Sequence, residues 1–206
     1  MNLNHDEIVP PTTIETPLIH AYTGDGKGKT TAAFGLAMRA SGHGFRVYVI
    51  QFMKGSIYSG ETISTMRLSP QIHVEHFGRE CPNALGIAMG WTKCAGCGKC
   101  FIKNGEVTLE DIEQAKGAYD RVIEIFEGDE ADMVVLDEIS NAINLGVMDV
   151  VQAVELVKKR PDKVELILTG RSMPEELLDL ADLVTEMKAV KHPFEKGVCA
   201  RRGVEY

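Results

Sequence analysis

Apolar residues fall along the chain in two kinds of run. Short runs bounded by Gly, Pro or polar clusters read as strands: residues 17–22 (PLIHAY), 45–52 (FRVYVIQF), 133–136 (MVVL), 164–168 (VELIL) and 183–190 (LVTEMKAV), with 72–77 (IHVEHF) partly alternating. Between them apolar positions recur at helical spacing. Ala32, Ala33, Phe34, Leu36, Ala37 and Met38 mark one helix within residues 31–39, closed by Ser41-Gly42-His43-Gly44. Ala115, Tyr119, Val122, Ile123 and Phe126 mark a second, opened by a Thr108 cap and an acidic first turn. A third spans 147–159 and stops before Pro161, and a fourth spans 174–180 and begins at Pro174. Strands alternating with helices predict an α/β fold, a mostly parallel sheet with helices on both faces.

A chain of 206 residues suffices for one such domain with a full core. Residues 1–16 are polar with a Pro10-Pro11 pair and read as an N-terminal arm outside the core, which leaves 17–206 as the domain. With 44% apolar and 25% charged residues the composition is that of a soluble globular protein. No apolar run approaches the length that spans a bilayer, and the opening MNLNHDE has neither the basic region nor the apolar core of a signal peptide. A cytoplasmic protein without a membrane partner is expected. A formal charge of -8 argues against a nucleic-acid partner, because a phosphate backbone requires clustered Lys and Arg.

The segment Thr23-Gly24-Asp25-Gly26-Lys27-Gly28-Lys29-Thr30-Thr31 changes the picture from fold to chemistry. Gly28, Lys29 and Thr30 fit a phosphate-binding loop, with Thr23 where the leading glycine usually stands. Backbone N–H groups of such a loop converge with the positive end of the following helix on phosphate oxygens. Lys29 adds a point charge, and the Thr30 hydroxyl is placed to meet a Mg2+. The order strand, loop, helix is the required one.

Three further groups stand at strand ends. Asp137 and Glu138 follow the 133–136 run, at the edge where open α/β sheets bind ligands, and are candidates with Thr30 for a nucleotide-bound Mg2+ or Mn2+. Arg171, after 164–168, reads equally as a phosphate clamp or a surface ion pair. Lys54 in Gln51-Phe52-Met53-Lys54-Gly55 is a candidate phosphate or substrate contact, against the plainer and commoner reading of a solvated lysine. His43, His73 and His76 lack the partner spacing of a metal or catalytic dyad. Cys94-x2-Cys97-x2-Cys100, with Cys81 as a fourth ligand, is the spacing of a tetrahedral Zn2+ or an iron-sulfur cluster, with reduced thiols as the alternative; Cys199 reads as a plain buried thiol.

Taken together, residues 23–35 (TGDGKGKTTAAFG), Gly42-His43-Gly44, Gln51-Phe52-Met53-Lys54-Gly55, Gly60-Glu61, Leu136-Asp137-Glu138, Thr169-Gly170-Arg171, Val190-Lys191-His192, Phe194-Glu195-Lys196-Gly197 and the ending Gly203-Val204-Glu205-Tyr206 resemble the P-loop cob(I)yrinic acid a,c-diamide (corrinoid) adenosyltransferases over nearly all of residues 17–206. The resemblance implies a P-loop NTPase-like (RecA-like) domain whose substrates are ATP and a corrinoid. It implies transfer of the adenosyl group to reduced cobalt, with the triphosphate leaving whole, in adenosylcobalamin biosynthesis or salvage. It assigns residues 24–31, with Lys29 and Thr30 foremost, to the triphosphate; Thr30 and Glu138, with Asp137, to Mg2+; Arg39 and Arg171 to the nucleotide; and a lesser polar role to Glu61. It also implies a homodimer closed by the N-terminal segment, and a flavoprotein or other reductase as partner. The cysteine-rich stretch, about residues 80–101, reads as an insertion where the family carries an aromatic loop over the corrinoid, and Trp91 is the candidate for the aromatic role there.

Two other readings use the same residues. A nucleoside kinase similar to thymidine kinase also combines a phosphate loop, an acidic pair and cysteine-held zinc, although its cysteines usually form two separated pairs. A non-catalytic module sensing ATP and metal is the other.

Overall fold

The computed structural model describes residues 13–55, 59–67, 71–103, 105–198 and 200–205. Most of the N-terminal arm, residues 1–12, and Cys199 lie outside these. Six strands form one sheet: β1 (Ile19–Thr23), β2 (Val47–Phe52), β3 (Ile72–Phe77), β4 (Met133–Asp137), β5 (Glu165–Thr169) and β6 (Leu183–Glu186). Their order is β3-β2-β4-β5-β1-β6, and every neighbouring pair is parallel. The continuous apolar runs of β2, β4 and β5 have their cause here: each residue of these strands is buried, because both sheet faces are covered.

Side-chain alternation divides the core. Val47 and Val49 of β2, Val135 of β4 and Ile167 of β5 point to one face, where Ala33, Phe34, Ala37 and Ala40 of α1 (Lys29–Gly42) meet them. Small alanines let this helix lie close to the sheet, and Ile14 packs against the same cluster. Ile50 and Phe52, Val134 and Leu136, Leu166 and Leu168 point to the other face. There they meet Ala115, Ala118, Val122 and Ile125 of α4 (Leu109–Glu127) and Leu156 of α6 (Val150–Lys158), with α5 (Ile139–Asn144) and α7 (Glu175–Leu178) alongside. Leu136 is fully buried, so truncating it to alanine costs about 2–5 kcal/mol. Helices cover both faces, as the alternation of elements predicts.

Short elements escaped the sequence pattern: α2 (Gly60–Thr65), α3 (Ala84–Ala88), α5 and a 3-10 turn at Pro193–Lys196. None is long enough to show a helical period. The Thr108 cap is present as a reciprocal capping box with Asp111, whose carboxylate also accepts from Arg79 Nε at 2.8 Å. That guanidinium, opposing the effect of burial, holds the Asp111 carboxyl down at about 2. The last strand stops at Glu186 instead of reaching residue 190. Met187 N still donates to Thr23 O at 2.9 Å, but Met187 O accepts from Gly26 N at 2.7 Å, so the chain turns off the sheet to lie along the loop after β1.

Because all strands run one way, the C-terminal ends of β1, β2, β4 and β5 share one edge. β5 lies between β1 and β4, so the loop after β1 and the carboxylates after β4 face each other across the end of β5. Among the described residues no helix is long and apolar enough to cross a membrane.

Candidate active site

The loop between β1 and α1 keeps its anion-binding surface open. No side chain caps α1 at Gly28, which leaves the first N–H groups of the helix for an incoming anion. Gly24 and Gly26 are dictated by a neighbour: a Cβ on them would stand 2.4 and 2.7 Å from Met187 O. Lys29 is buried and its ammonium donates to the carbonyls of Gly24 at 2.7 Å and Gly26 at 2.8 Å, bracing the loop from inside. Burial, with the nearby Arg171 charge, lowers the Lys29 pKa. The Asp25 carboxylate accepts from Ala189 N at 3.2 Å, and that bond lowers its pKa. Thr23 has a physical reason for replacing glycine: its hydroxyl accepts from Met173 N at 3.2 Å, tying the end of β1 to the loop after β5.

Asp137 is the most heavily coordinated side chain of the site. It is fully buried. Its Oδ1 accepts from Thr30 Oγ1 at 2.9 Å and Thr169 Oγ1 at 2.6 Å, and its Oδ2 from Gln51 Nε2 at 2.7 Å and Lys54 Nζ at 2.6 Å. Burial alone would raise this carboxyl; the Lys54 ammonium and the hydroxyl and amide donors outweigh it and hold the pKa below the ordinary value. Glu138 sits in the left-handed region at φ 63°, a strained conformation that marks the turn from β4 into α5. Burial, aided by the neighbouring Asp137 charge, raises its pKa.

Arg171 is fixed through its backbone by α5. Its N–H donates to Asn141 Oδ1 at 3.1 Å, and its carbonyl accepts from Ser140 Oγ at 2.7 Å and Asn144 Nδ2 at 3.0 Å. The side chain is left exposed toward a cavity of about 390 Å³ that Lys27, Lys29, Thr30, Thr31, Lys54, Glu61, Glu138 and Arg171 also line. The rest of the lining includes Arg79, Cys100 and Phe101, and Val204 and Glu205 near the C-terminus.

The structure thus brings residues 26–31, Glu138 and Arg171 together, with Asp137 directly behind them. It does not bring Arg39 to them: that residue is in the last turn of α1, about 15 Å along the helix from Lys29. Trp91 is 75% exposed and outside the cavity wall, where Phe101 stands instead. Lys54 is not the solvated lysine of the plainer reading, since its ammonium is bound to Asp137. Sequence reasoning missed Gln51 and Thr169 as partners of Asp137. It also missed the C-terminal turn, where Lys27 Nζ donates to Val204 O at 2.8 Å and Glu205 Oε1 at 3.0 Å while Arg202 Nη2 donates to Ala88 O at 3.3 Å. The strand-end positions of Gln51 and Thr169 were the available clue; the Gly203-Val204-Glu205-Tyr206 ending stood out as a motif, but nothing in it pointed to Lys27.

Two metal readings can be tested against these residues. Thr30 and Glu138 line the cavity beside the phosphate loop, and a Mg2+ needs few protein oxygens when phosphates and waters complete its shell. That set fits. Asp137, its oxygens taken by four donors, acts by orienting Thr30 from behind. The cysteines fit less well. Cys81 is buried, Cys94 and Cys97 are exposed, Cys100 lies on the cavity wall, and among the described residues no three His, Cys, Asp or Glu side chains gather to hold a metal ion.

Comparison with known proteins follows the same direction. Residues 15–206 match the family model described as ATP:corrinoid adenosyltransferase BtuR/CobO/CobP. A corrinoid adenosyltransferase of Sinorhizobium sp is 34% identical over 203 residues, 98% of this chain and 86% of that one. The corrinoid adenosyltransferase of Escherichia coli K12 is 33% identical over 192 residues, covering 93% and 87%. CobA of Salmonella typhimurium LT2, also a corrinoid adenosyltransferase, is 34% identical over 196 residues, covering 93% and 87%.

Proposed function

The chain belongs to the ATP:corrinoid adenosyltransferase family BtuR/CobO/CobP, and on that premise we propose how its cavity performs the transfer. ATP enters with its triphosphate on the loop at residues 24–31, and the 5'-deoxyadenosyl group passes to the Co(I) centre of a corrinoid bound toward Cys100 and Phe101. The cobalt lone pair forms the carbon–cobalt bond, the bond from the ribose 5' carbon to oxygen breaks, and its electron pair leaves with intact triphosphate. The substrate cobalt is itself the nucleophile, so the protein supplies position and charge compensation. The observation that supports this most is an uncapped helix N-terminus and buried Lys29 opening onto a cavity that Phe101 also lines.

In this reading Lys29, Arg171 and the loop N–H groups compensate the leaving triphosphate. A Mg2+ or Mn2+ held by Thr30 and Glu138 with phosphate oxygens would neutralise further charge. Asp137 fixes the Thr30 hydroxyl. Phe101 is better placed than Trp91 to meet the corrinoid face. Arg39, remote from the cavity, is given no part in holding phosphates. Cytoplasmic location, a reductase supplying Co(I), and a second copy whose N-terminal segment closes the cavity complete the proposal. The family assignment leaves the nucleoside-kinase and sensor readings without support.

Anaerobic incubation with ATP and a chemically reduced corrinoid tests the reaction. A light-sensitive carbon–cobalt product is expected, and ADP formation without such a product contradicts it. Sedimentation of a monomer in the presence of both substrates contradicts the dimer.

A further inference from the structure

The ammonium of Lys54 stands between Asp137 and the two side chains, Thr30 and Glu138, assigned to the divalent cation. Its Nζ is 2.6 Å from Asp137 Oδ2, 3.4 Å from Thr30 Oγ1 and 3.8 Å from Glu138 Oε1. The backbone on either side fixes this reach. Met53 adopts φ 63°, and Gly55 lies so close to the turn after β3 that a Cβ on it would be 2.1 Å from Gly78 O. The lysine is therefore delivered to the carboxylates by a locked turn at the end of β2.

Two adjacent carboxylates, one of them wholly buried, require a positive charge close by. Lys54 supplies it in the absence of metal, and an ammonium and a divalent ion cannot both occupy the space between Thr30 and Glu138. The ammonium also has somewhere to go. Lys54 lines the cavity into which the phosphate loop opens, and Asp137 keeps its bonds from Thr30, Thr169 and Gln51 when the lysine leaves.

We propose that Lys54 is the resident cation of the divalent-metal position: it neutralises Asp137 and Glu138 while nucleotide is absent, excludes free divalent metal, and yields only when phosphate oxygens arrive to receive it. Metal then enters with the nucleotide and not before it. The coupling is reciprocal, so ATP and metal each raise the affinity for the other. This rests on the reading of Thr30 and Glu138 as metal ligands.

The test is Mn2+ binding followed by electron paramagnetic resonance, with and without ATP, corrected for Mn2+–ATP formed in buffer. Wild-type protein should bind Mn2+ alone weakly and gain between about 5- and 150-fold in affinity when ATP is present. Lys54→Met should bind Mn2+ alone more tightly than wild type by a factor in the same range, lose most of the gain from ATP, and melt at a higher temperature once Mn2+ is added. Lys54→Arg, which keeps the charge, should still exclude Mn2+ alone. The proposal is overturned if Lys54→Met gains no affinity for free Mn2+. It is equally overturned if wild-type protein binds Mn2+ as tightly without ATP as with it, an outcome that leaves the metal ligands standing and decides the matter even should Lys54→Met not fold. Absence of Mn2+ binding both with and without ATP would remove Thr30 and Glu138 as ligands and the proposal with them.

Discussion

The two walls of the cavity are built on opposite plans. On the phosphate-loop wall the functional groups are fastened before any ligand arrives: Lys29 to two carbonyls, Asp137 to four donors, Thr23 to the backbone of Met173. Among the described residues between β3 and α4 only Cys81 and Ile87 are buried; Phe101, which lines the cavity, is 65% exposed, and Leu85 and Trp91, outside the lining, are 64% and 75% exposed. The C-terminal turn bridges the walls, with Lys27 holding Glu205 on one side and Arg202 reaching Ala88 on the other. A fixed array suits a small anion of constant shape, because donors that are already oriented need no reorganisation when charge develops on the leaving group. A loosely packed apolar wall suits a large, flat partner to which it can adapt.

Breaking the fastened wall should have the largest effects. Asp137→Ala leaves Lys54 without its carboxylate and removes the acceptor of Thr30, Thr169 and Gln51; unfolding in urea should show a loss of about 3–5 kcal/mol. Lys29→Ala removes the loop's buried charge, and single-turnover kinetics should show adenosyl transfer slowed by about 10²–10³-fold with an unchanged circular dichroism spectrum. The seam between the regions is milder. Because Arg79 depresses the Asp111 carboxyl from 3.8 to about 2, its stabilising contribution is complete above pH 3.8 and is lost as pH falls through 2; Asp111→Asn should flatten the stability profile in that window. Smallest of all, Cys94→Ser with Cys97→Ser should change metal-free stability by less than about 0.5 kcal/mol, since both positions are exposed. A large loss there would mean that the second wall is as tightly built as the first.

The fastened wall was also the legible one, but only in part. The apolar runs into Thr23 and Asp137 and the glycines around Lys29 placed loop and carboxylates on one edge, because strand direction follows from alternating strands and helices. What joins them depends on sheet order, which periodicity does not carry. Lys54 and Asp137 are 83 positions apart and meet because β2 neighbours β4; Thr169 reaches Asp137 because β5 lies between β4 and β1. Thr23 looked irregular until the segment after β5 supplied its partner. Lys27, in the loop read as the triphosphate site, also holds a turn 177 residues away. The cysteine spacing suggested a closed metal site, yet Cys94 and Cys97 face outward: spacing can propose a ligand set, while the surrounding wall decides whether it closes.

The central claim is that the phosphate loop holds a leaving group which departs whole. Phosphorus NMR of the anaerobic reaction, run beside the visible spectrum of the corrinoid, tests it directly. The account predicts one intact triphosphate for each carbon–cobalt bond formed, and no ADP. Release of ADP, or of pyrophosphate and phosphate without free triphosphate as an intermediate, would contradict it.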